Sequence, residues 1–225
     1  MSARHKPSPE ESGIAVIGLG RFGCHVAYSL IALGYEVLAI DENPRTVQRW
    51  SEQLARVVQA DATDETALRQ LGLTEFGRVV VAIGASVEAS VLTVLGLTDL
   101  GIPEIWARAT SEKHAKILDA VGADHVVFPE AATGERVAHL IISKMLDFIE
   151  FDEDFAIAKV RTPRTLQGRP VGEIAISDRH GVVVVGAKQP GEKFRYTSPD
   201  TVLAPGSMLI VEGTISQVQR FAEMT

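Results

Sequence analysis

Three closely spaced glycines are the first residues of the sequence whose types and spacing could do chemistry. Gly18, Gly20 and Gly23 form the pattern G-x-G-x-x-G directly after the apolar run 14–17. In this pattern the first glycine makes a tight turn, the second lets a pyrophosphate approach the backbone, and the third lets a helix pack closely on a strand. The unpaired N–H groups at that helix's N-terminus attract phosphate. The motif alone is weak, and a turn without a ligand is the alternative, but a preceding strand and a following helix are the context it requires.

Polar residues within and after this motif extend the candidate site. Arg21 and Phe22 lie inside the turn, and Arg21 either offers charge-assisted bonds to phosphate or is a solvated surface charge. Asp41 ends the next apolar run, near the offset of about 20 residues at which an acidic side chain binds ribose hydroxyls. Its charge would repel a 2′-phosphate, which disfavours NADP; the alternative is a solvated strand end. Glu42 is a weaker candidate for the ribose contact, and Asn43 beside it belongs to the same loop.

A second loop, after the third apolar run, is a candidate for binding the base. Asp61, Ala62 and Thr63 follow that run. Because the carboxyl ends of parallel strands share one edge of a sheet, we expect this loop to flank an adenine ring. Capping of the next helix by Thr63 or Asp64 is an equally good and compatible interpretation.

Four more residues follow the fourth, fifth and sixth runs and are expected at the same edge. Ile83 and Gly84 come after the fourth run, Arg108 ends the fifth, and Glu130 follows the sixth. Arg108 either contacts phosphate or is a solvated surface charge. Glu130 would repel phosphate unless a hard cation bridges them, which makes it the candidate metal ligand. Its alternative is a first-turn helix residue favoured by the helix dipole.

The apolar patterning predicts the elements that position these residues. Mostly apolar runs alternate with helix-like segments that end at glycine, which predicts a Rossmann-like, doubly wound α/β domain over residues 13–150. The predicted strands are 14–18, 36–41, 56–60, 78–83, 104–109 and 125–128, and the predicted helices are 22–33, 44–54, 64–71, 86–100 and 111–121.

The remaining chain follows a different pattern. Residues 130–149 read as one long helix, a crossover or dimerisation helix, and residues 150–155 as an acidic linker. Short apolar runs then predict a second, smaller α+β domain over residues 151–225, which ends in a helix at 216–224. Residues 1–12 are polar with two prolines, and we expect a disordered tail.

Composition narrows the class of protein. The net charge is −7 and no run of Lys or Arg occurs, so nucleic acid is not an expected partner. A single cysteine, no secretory leader and no apolar stretch of about 18 residues predict a cytoplasmic protein.

The sequence predicts neither a histidine metal site nor a catalytic pair. The spacing of His114, His125 and His139 is not the compact spacing of metal ligands. An NAD-dependent dehydrogenase would explain the glycines, but no acid–base pair for one is evident, and we expect no enzyme.

Several segments together resemble a known family. "AVIGLGRFG", "VLAID", "ADATDE", "VVVAIGA", "IPEIWARA" and "HAKILDAVGADHVVFPE" are similar to the regulatory subunits of bacterial potassium uptake systems. These are the KtrA/TrkA-type proteins built from RCK domains, regulators of potassium conductance. The resemblance covers nearly the whole chain, and the combination of "GLGRFG", "VAIGA" and "GADxxxxPE" is specific.

The resemblance implies a gating subunit that is not an enzyme. RCK domains of this family dimerise, assemble into an octameric ring and dock on a membrane potassium-channel subunit at the inner face of the membrane. Exchange of ATP for ADP changes the shape of the ring, and TrkA-like members also bind NAD(H). By this similarity Arg21 would reach phosphates, Asp41 would hold ribose, and Glu130 would help to hold Mg²⁺ or another cation.

Arg108 departs from the family's pattern, because the family commonly has lysine at this position. An arginine keeps the positive charge and alters the geometry of a phosphate contact.

The resemblance also raises the question of a second ligand. Some relatives bind cyclic di-AMP through the C-terminal domain, so the same ligand is an expectation here. Ile174, Ile176 and Pro190 could line such a cleft, although core or turn positions suit them better.

Overall fold

The computed structural model describes residues 13–152 and 154–225 of the chain. The predicted tail over residues 1–12 lies outside the described residues. The chain divides into two compact units, one that ends at Pro129 and one that spans Glu130–Thr225. Within the described residues, every helix is too short or too polar to cross a membrane.

The first unit is built on a six-stranded parallel sheet. The strand order is β3-β2-β1-β4-β5-β6, and every neighbouring pair is parallel. The order therefore reverses between β1 and β4, and open α/β sheets bind ligands at such a reversal. The strands are β1 (Ile14–Ile17), β2 (Val37–Asp41), β3 (Val57–Gln59), β4 (Arg78–Val81), β5 (Glu104–Arg108) and β6 (His125–Val127).

Five helices cover both faces of this sheet. Alternate side chains of one strand point to opposite faces, so Ile17 packs in one buried cluster and Val16 in another. Leu68, Val94 and Leu118 of the later helices join the first cluster, and Ala27 of the first helix joins the second. The predicted Rossmann-like, doubly wound fold is confirmed. The helices are α1 (Arg21–Ala32), α2 (Pro44–Ser51), α3 (Glu65–Gln70), α4 (Val87–Asp99) and α5 (Glu112–Ala120).

The second unit is α+β, with a separate five-stranded antiparallel sheet in the order β10-β9-β11-β8-β7. Leu209 and Val211 of the central strand and Phe221 of the last helix are buried in its core. The strands are β7 (Asp147–Asp152), β8 (Phe155–Arg161), β9 (Val183–Lys188), β10 (Arg195–Tyr196) and β11 (Met208–Thr214), and the helices are α6 (Pro129–Ile142), α7 (Val171–Ile174), α8 (Ile176–His180) and α9 (Ile215–Glu223).

The segment predicted as one helix over 130–149 is a helix followed by a strand. The Ser143 hydroxyl donates to the His139 carbonyl and accepts from the Met145 N–H, which turns the chain after α6. Phe148 is then buried and pairs with Ala158 of β8. The predicted linker at 150–155 lies largely within β7 and β8. The first compact unit accordingly ends earlier than the predicted domain boundary at residue 150.

Candidate nucleotide-binding site

The three glycines of the turn between β1 and α1 have three different roles. Gly18 has φ +92°, a left-handed conformation that favours glycine. A Cβ at Gly23 would overlap the Gly18 carbonyl oxygen and lie 2.9 Å from Ala82 Cβ, so this glycine permits close packing of α1. A Cβ at Gly20 would meet nothing within 4 Å. Gly20 is also the N-cap of α1, and no side chain caps this helix among the described residues. The turn thus has open space beside a helix N-terminus, as a phosphate requires.

Asp41 connects this turn to the end of β2. Its Oδ2 accepts a hydrogen bond of 2.7 Å from the Leu19 N–H, and its Oδ1 accepts one of 2.9 Å from the Asn43 N–H. The carboxylate is half-buried, so it is held firmly at the edge of the sheet. Each carboxylate oxygen has a second lone pair, which leaves acceptor capacity for ribose hydroxyls.

The loop after β4 lies against the same turn. A Cβ on Gly18 would come within 3.1 Å of the Ala82 carbonyl carbon and the Ile83 nitrogen. The Arg108 guanidinium occupies the position that a Cβ on Gly84 would take. The glycine at position 84 therefore allows Arg108, from the end of β5, to extend over this loop. The structure brings Gly18, Ile83, Gly84 and Arg108 together.

The loop after β3 is organised mainly by its own hydrogen bonds. Asp61 Oδ1 accepts from the Thr63 hydroxyl at 2.7 Å and from the Thr63 N–H at 2.9 Å. The hydroxyl contact is the main cause that lowers the pKa of Asp61 below its usual range. Asp61 and Thr63 are exposed and Ala62 is buried. Asp64, not Thr63, caps α3 by accepting from the Thr66 N–H at 2.8 Å.

Five further candidates from the sequence lie at helix starts or in exposed loops. Asn43 caps α2 through its side-chain oxygen, 2.9 Å from the Arg45 N–H, and Glu42 is exposed beside it. In the first turn of α1, Arg21 is exposed and Phe22 half-buried. Glu130 is exposed in the first turn of α6 and belongs to the second compact unit. Its alternative interpretation as a first-turn acidic residue fits this place as well.

Sequence reasoning assigned no site role to His114. It lies on α5, is 2% exposed, and its Nδ1 is 3.3 Å from the donating Thr110 N–H. Its Nε2 is buried with no hydrogen-bond partner among the described residues. Burial, and then the charge of Arg108, lower the pKa of His114. A lone histidine in an amphipathic helix gives no sequence signal for this effect of Arg108, because the arginine comes from a different element.

Comparison with known proteins identifies the two units. Residues 14–129 match the model of the TrkA-N domain, and residues 155–225 match that of the TrkA-C domain. The Ktr system potassium uptake protein C of Bacillus subtilis (strain 168) is 36% identical over 208 residues, which cover 92% of this chain and 94% of that protein. The similarity therefore runs through both domains.

Solved structures show the same fold. A structure described as the GsuK channel bound to NAD superposes with a TM-score of 0.65 at 20% identity and covers 95% of this chain and 39% of that one. The crystal structure of GsuK bound to ADP has a TM-score of 0.52 at 28% identity and covers 60% of this chain and 35% of the other. With both domains matched in order, the chain belongs to the family of Ktr/TrkA-type potassium uptake proteins, as the sequence resemblance predicted.

Proposed function

We propose that this chain is the nucleotide-sensing regulatory subunit of a potassium uptake system, with ATP and ADP as its ligands. One observation carries the nucleotide assignment. Asp41 is held by the Leu19 N–H at the glycine turn, where Gly20 leaves open space at the N-terminus of α1. A ribose acceptor and a phosphate cradle thus adjoin, in a chain whose relatives are potassium uptake proteins.

The phosphate and ribose contacts follow from this geometry. The first N–H groups of α1 point at the phosphates, and Asp41 accepts hydrogen bonds from ribose hydroxyls. Asp61 and Thr63 adjoin the adenine ring. The open space at Gly20 and the uncapped helix end fit a phosphate group in size and in charge.

Discrimination between ATP and ADP must come from the terminal phosphate, since a ligand shifts a conformational equilibrium only by its differential affinity. Arg21 is exposed and can reach beyond the helix end toward this phosphate. Glu130 holds Mg²⁺, whose charge offsets the repulsion between carboxylate and phosphate. Arg108 contributes a further positive charge near Gly84.

The output is a change in assembly rather than a chemical reaction. The chain is a regulatory subunit of a potassium transport system. It acts in the cytoplasm as a homodimer that assembles into an octameric ring on a membrane potassium-translocating subunit. A cyclic di-AMP site in the second unit is not part of the proposal, because Ile174 and Ile176 are buried in its core.

Calorimetric titration of the full chain with ATP, ADP and NADH, with and without Mg²⁺, tests the nucleotide assignment. We expect tight binding of ATP and ADP, and a higher affinity for ATP when Mg²⁺ is present. Arg21→Gln should lower the affinity for ATP more than the affinity for ADP. Glu130→Gln should remove the effect of Mg²⁺ on ATP affinity. Arg164→Gln, an exposed arginine of the second unit, is the matched control.

Two outcomes would contradict the proposal. Equal losses of ATP and ADP affinity in Arg21→Gln would overturn the role of this arginine. A clear preference for NADH would favour a redox sensor or a dehydrogenase over an ATP/ADP sensor, and we would then test for catalytic turnover of NADH. Potassium flux into vesicles that contain a Ktr-type membrane subunit tests the regulatory role, since added chain should make the flux nucleotide-dependent.

A further inference from the structure

Three side chains of the second unit form a cluster that the nucleotide site does not use. The ligand atoms of Glu135 and His139, on α6, and of Glu150, on β7, all lie within 4.8 Å of one another. We propose that this cluster binds a divalent transition-metal ion, with Zn²⁺ as the expected occupant.

The fold explains why these residues meet. Glu135 and His139 are four residues apart on α6, so they lie on one face of the helix. Glu150 is placed by pairing of β7 with β8, opposite Ala156. The sequence analysis excluded a histidine metal site from the spacing between histidines. It could not include Glu150, because residues 130–149 were predicted as a continuous helix.

Two neighbours fix the orientation of the His139 ring. It stacks on Phe148 with ring centroids 4.4 Å apart, and its Nδ1 lies 3.2 Å from the Gln219 amide nitrogen. A half-turn of that amide places its oxygen where it accepts the Nδ1–H, and the orientation of an amide is set by its partners. Nε2 is then the ring nitrogen left to bind a metal, in the arrangement that metal-binding histidines adopt.

The charges of the cluster favour a cation. Glu135 and Glu150 bring two carboxylates close together, and no ion pair reaches either one among the residues that the structure describes. The neighbouring Arg136 is engaged by Asp147. A bound cation would offset the repulsion between the two carboxylates.

The donor set selects the kind of metal. One imidazole with two carboxylates suits Zn²⁺ and similar first-row ions, whereas Mg²⁺ and Ca²⁺ prefer oxygen ligands throughout. Ligand atoms about 2.1 Å from one Zn²⁺ ion lie at most about 4.2 Å apart, so small side-chain rotations close the site. A cleft of about 370 Å³ lined by Thr133, Glu135 and Glu150 gives access and leaves room for a water ligand.

Competition with a chromophoric zinc indicator tests the site on the full, untagged, metal-free chain. We expect one Zn²⁺ per chain, with affinity at least tenfold lower in His139→Gln and Glu150→Gln. Gln219→Leu should weaken binding by about tenfold, as loss of a partner of a metal-bound histidine does. Mg²⁺ and Ca²⁺ at high excess should not displace the ion.

Two controls keep the result interpretable. Glu173→Gln and His125→Gln remove an exposed carboxylate and an exposed imidazole elsewhere and should bind Zn²⁺ like the wild type. Co²⁺ added to the wild-type chain should give visible d–d absorption, a readout that needs no variant to fold. Wild-type zinc affinity in both His139→Gln and Glu150→Gln, or no absorption with Co²⁺, would overturn the proposal. ATP affinity should be unchanged in these variants, so this result is independent of the nucleotide site.

Discussion

Gly20 and Gly23 belong to one motif, yet the structure gives them opposite physical reasons to be glycine. At Gly23 a Cβ would overlap the Gly18 carbonyl oxygen, so the requirement comes from packing of α1 on β1. At Gly20 the space is open, so packing does not explain the absence of a side chain. The proposed phosphate, which would approach the backbone there, does explain it.

Alanine at these two positions should therefore separate stability from binding. Gly20→Ala should keep the free energy of unfolding within about 1 kcal/mol of the wild type. It should lower the affinity for ATP and for ADP by about tenfold, which corresponds to about 1.4 kcal/mol of binding free energy. Gly23→Ala should lower the free energy of unfolding by about 1–3 kcal/mol, because the added carbon forces α1 outward. Urea unfolding and calorimetry measure the two effects, and equal nucleotide affinity in Gly20→Ala and wild type would contradict the phosphate assignment.

His114 should make the first unit sensitive to acid. Burial and Arg108 lower its pKa, so the folded chain binds the proton less readily than the unfolded chain does. The stability contribution of neutral His114 is full above about pH 6.5 and is lost as the pH falls toward the folded-state pKa. His114→Gln should therefore lose less stability than the wild type between about pH 7.5 and pH 5.5.

Urea unfolding at several pH values measures this difference. His25→Gln, at an exposed position of α1, controls for the loss of one imidazole. Identical pH profiles for His114→Gln and wild type would show that the buried ring does not contribute to acid sensitivity.

At the scale of elements, local sequence patterns predicted a helix or strand correctly where the element packs against elements next to it in sequence. The strand 36–41 was predicted and is Val37–Asp41, and the helix 44–54 begins at Pro44 as predicted. The pattern failed between 143 and 152 because a fortuitous helical spacing of apolar residues included Met145 and Phe148. Both are buried in the core of the second unit, where Phe148 lies in β7 and pairs with Ala158 of β8. No local pattern reveals that pairing.

In the candidate site, too, some residues could be predicted from the sequence and others could not. Gly18 and Asp41 were predictable, since the carboxyl ends of β1 and β2 must adjoin once the sheet is parallel. The contact between Arg108 and Gly84, the buried His114 and the meeting of Glu135, His139 and Glu150 depend on side chains from separate elements. Such contacts follow from packing in three dimensions and leave no fixed spacing in the sequence.

The start of α9 offers a test of local stabilisation in the second unit. Thr214 and Gln217 form a capping box, in which the Thr214 hydroxyl accepts from the Gln217 N–H and the Gln217 side chain accepts from the Thr214 N–H at 2.9 Å. Thr214→Ala should lower the free energy of unfolding by about 1 kcal/mol, because one helix N–H loses its acceptor. Chemical denaturation measures this free energy of unfolding. The control Thr214→Ser keeps the hydroxyl and should unfold with a free energy close to that of the wild type. A stability of Thr214→Ala equal to that of the wild type would show that the box contributes nothing.

At the scale of the whole molecule, the most informative surface is an apolar one on the second unit. Ile141 and Ile142, adjacent at the end of α6, are 77% and 72% exposed. Exposed apolar groups of this size that occur together are typical of surfaces that bind another protein. The proposed homodimer would cover them with a second copy of the chain.

Charge introduced at this surface should prevent self-association. The double variant Ile141→Glu with Ile142→Glu should sediment as a monomer under conditions in which the wild type sediments as a dimer or a larger assembly, because two buried carboxylates would lack partners. Leu33→Glu, at a leucine that is 74% exposed at the end of α1, should sediment like the wild type. A monomeric wild type would contradict the proposed homodimer. An unchanged sedimentation coefficient in the double variant would show that the exposed isoleucines do not hold the assembly together, and the ring would then need a different interface.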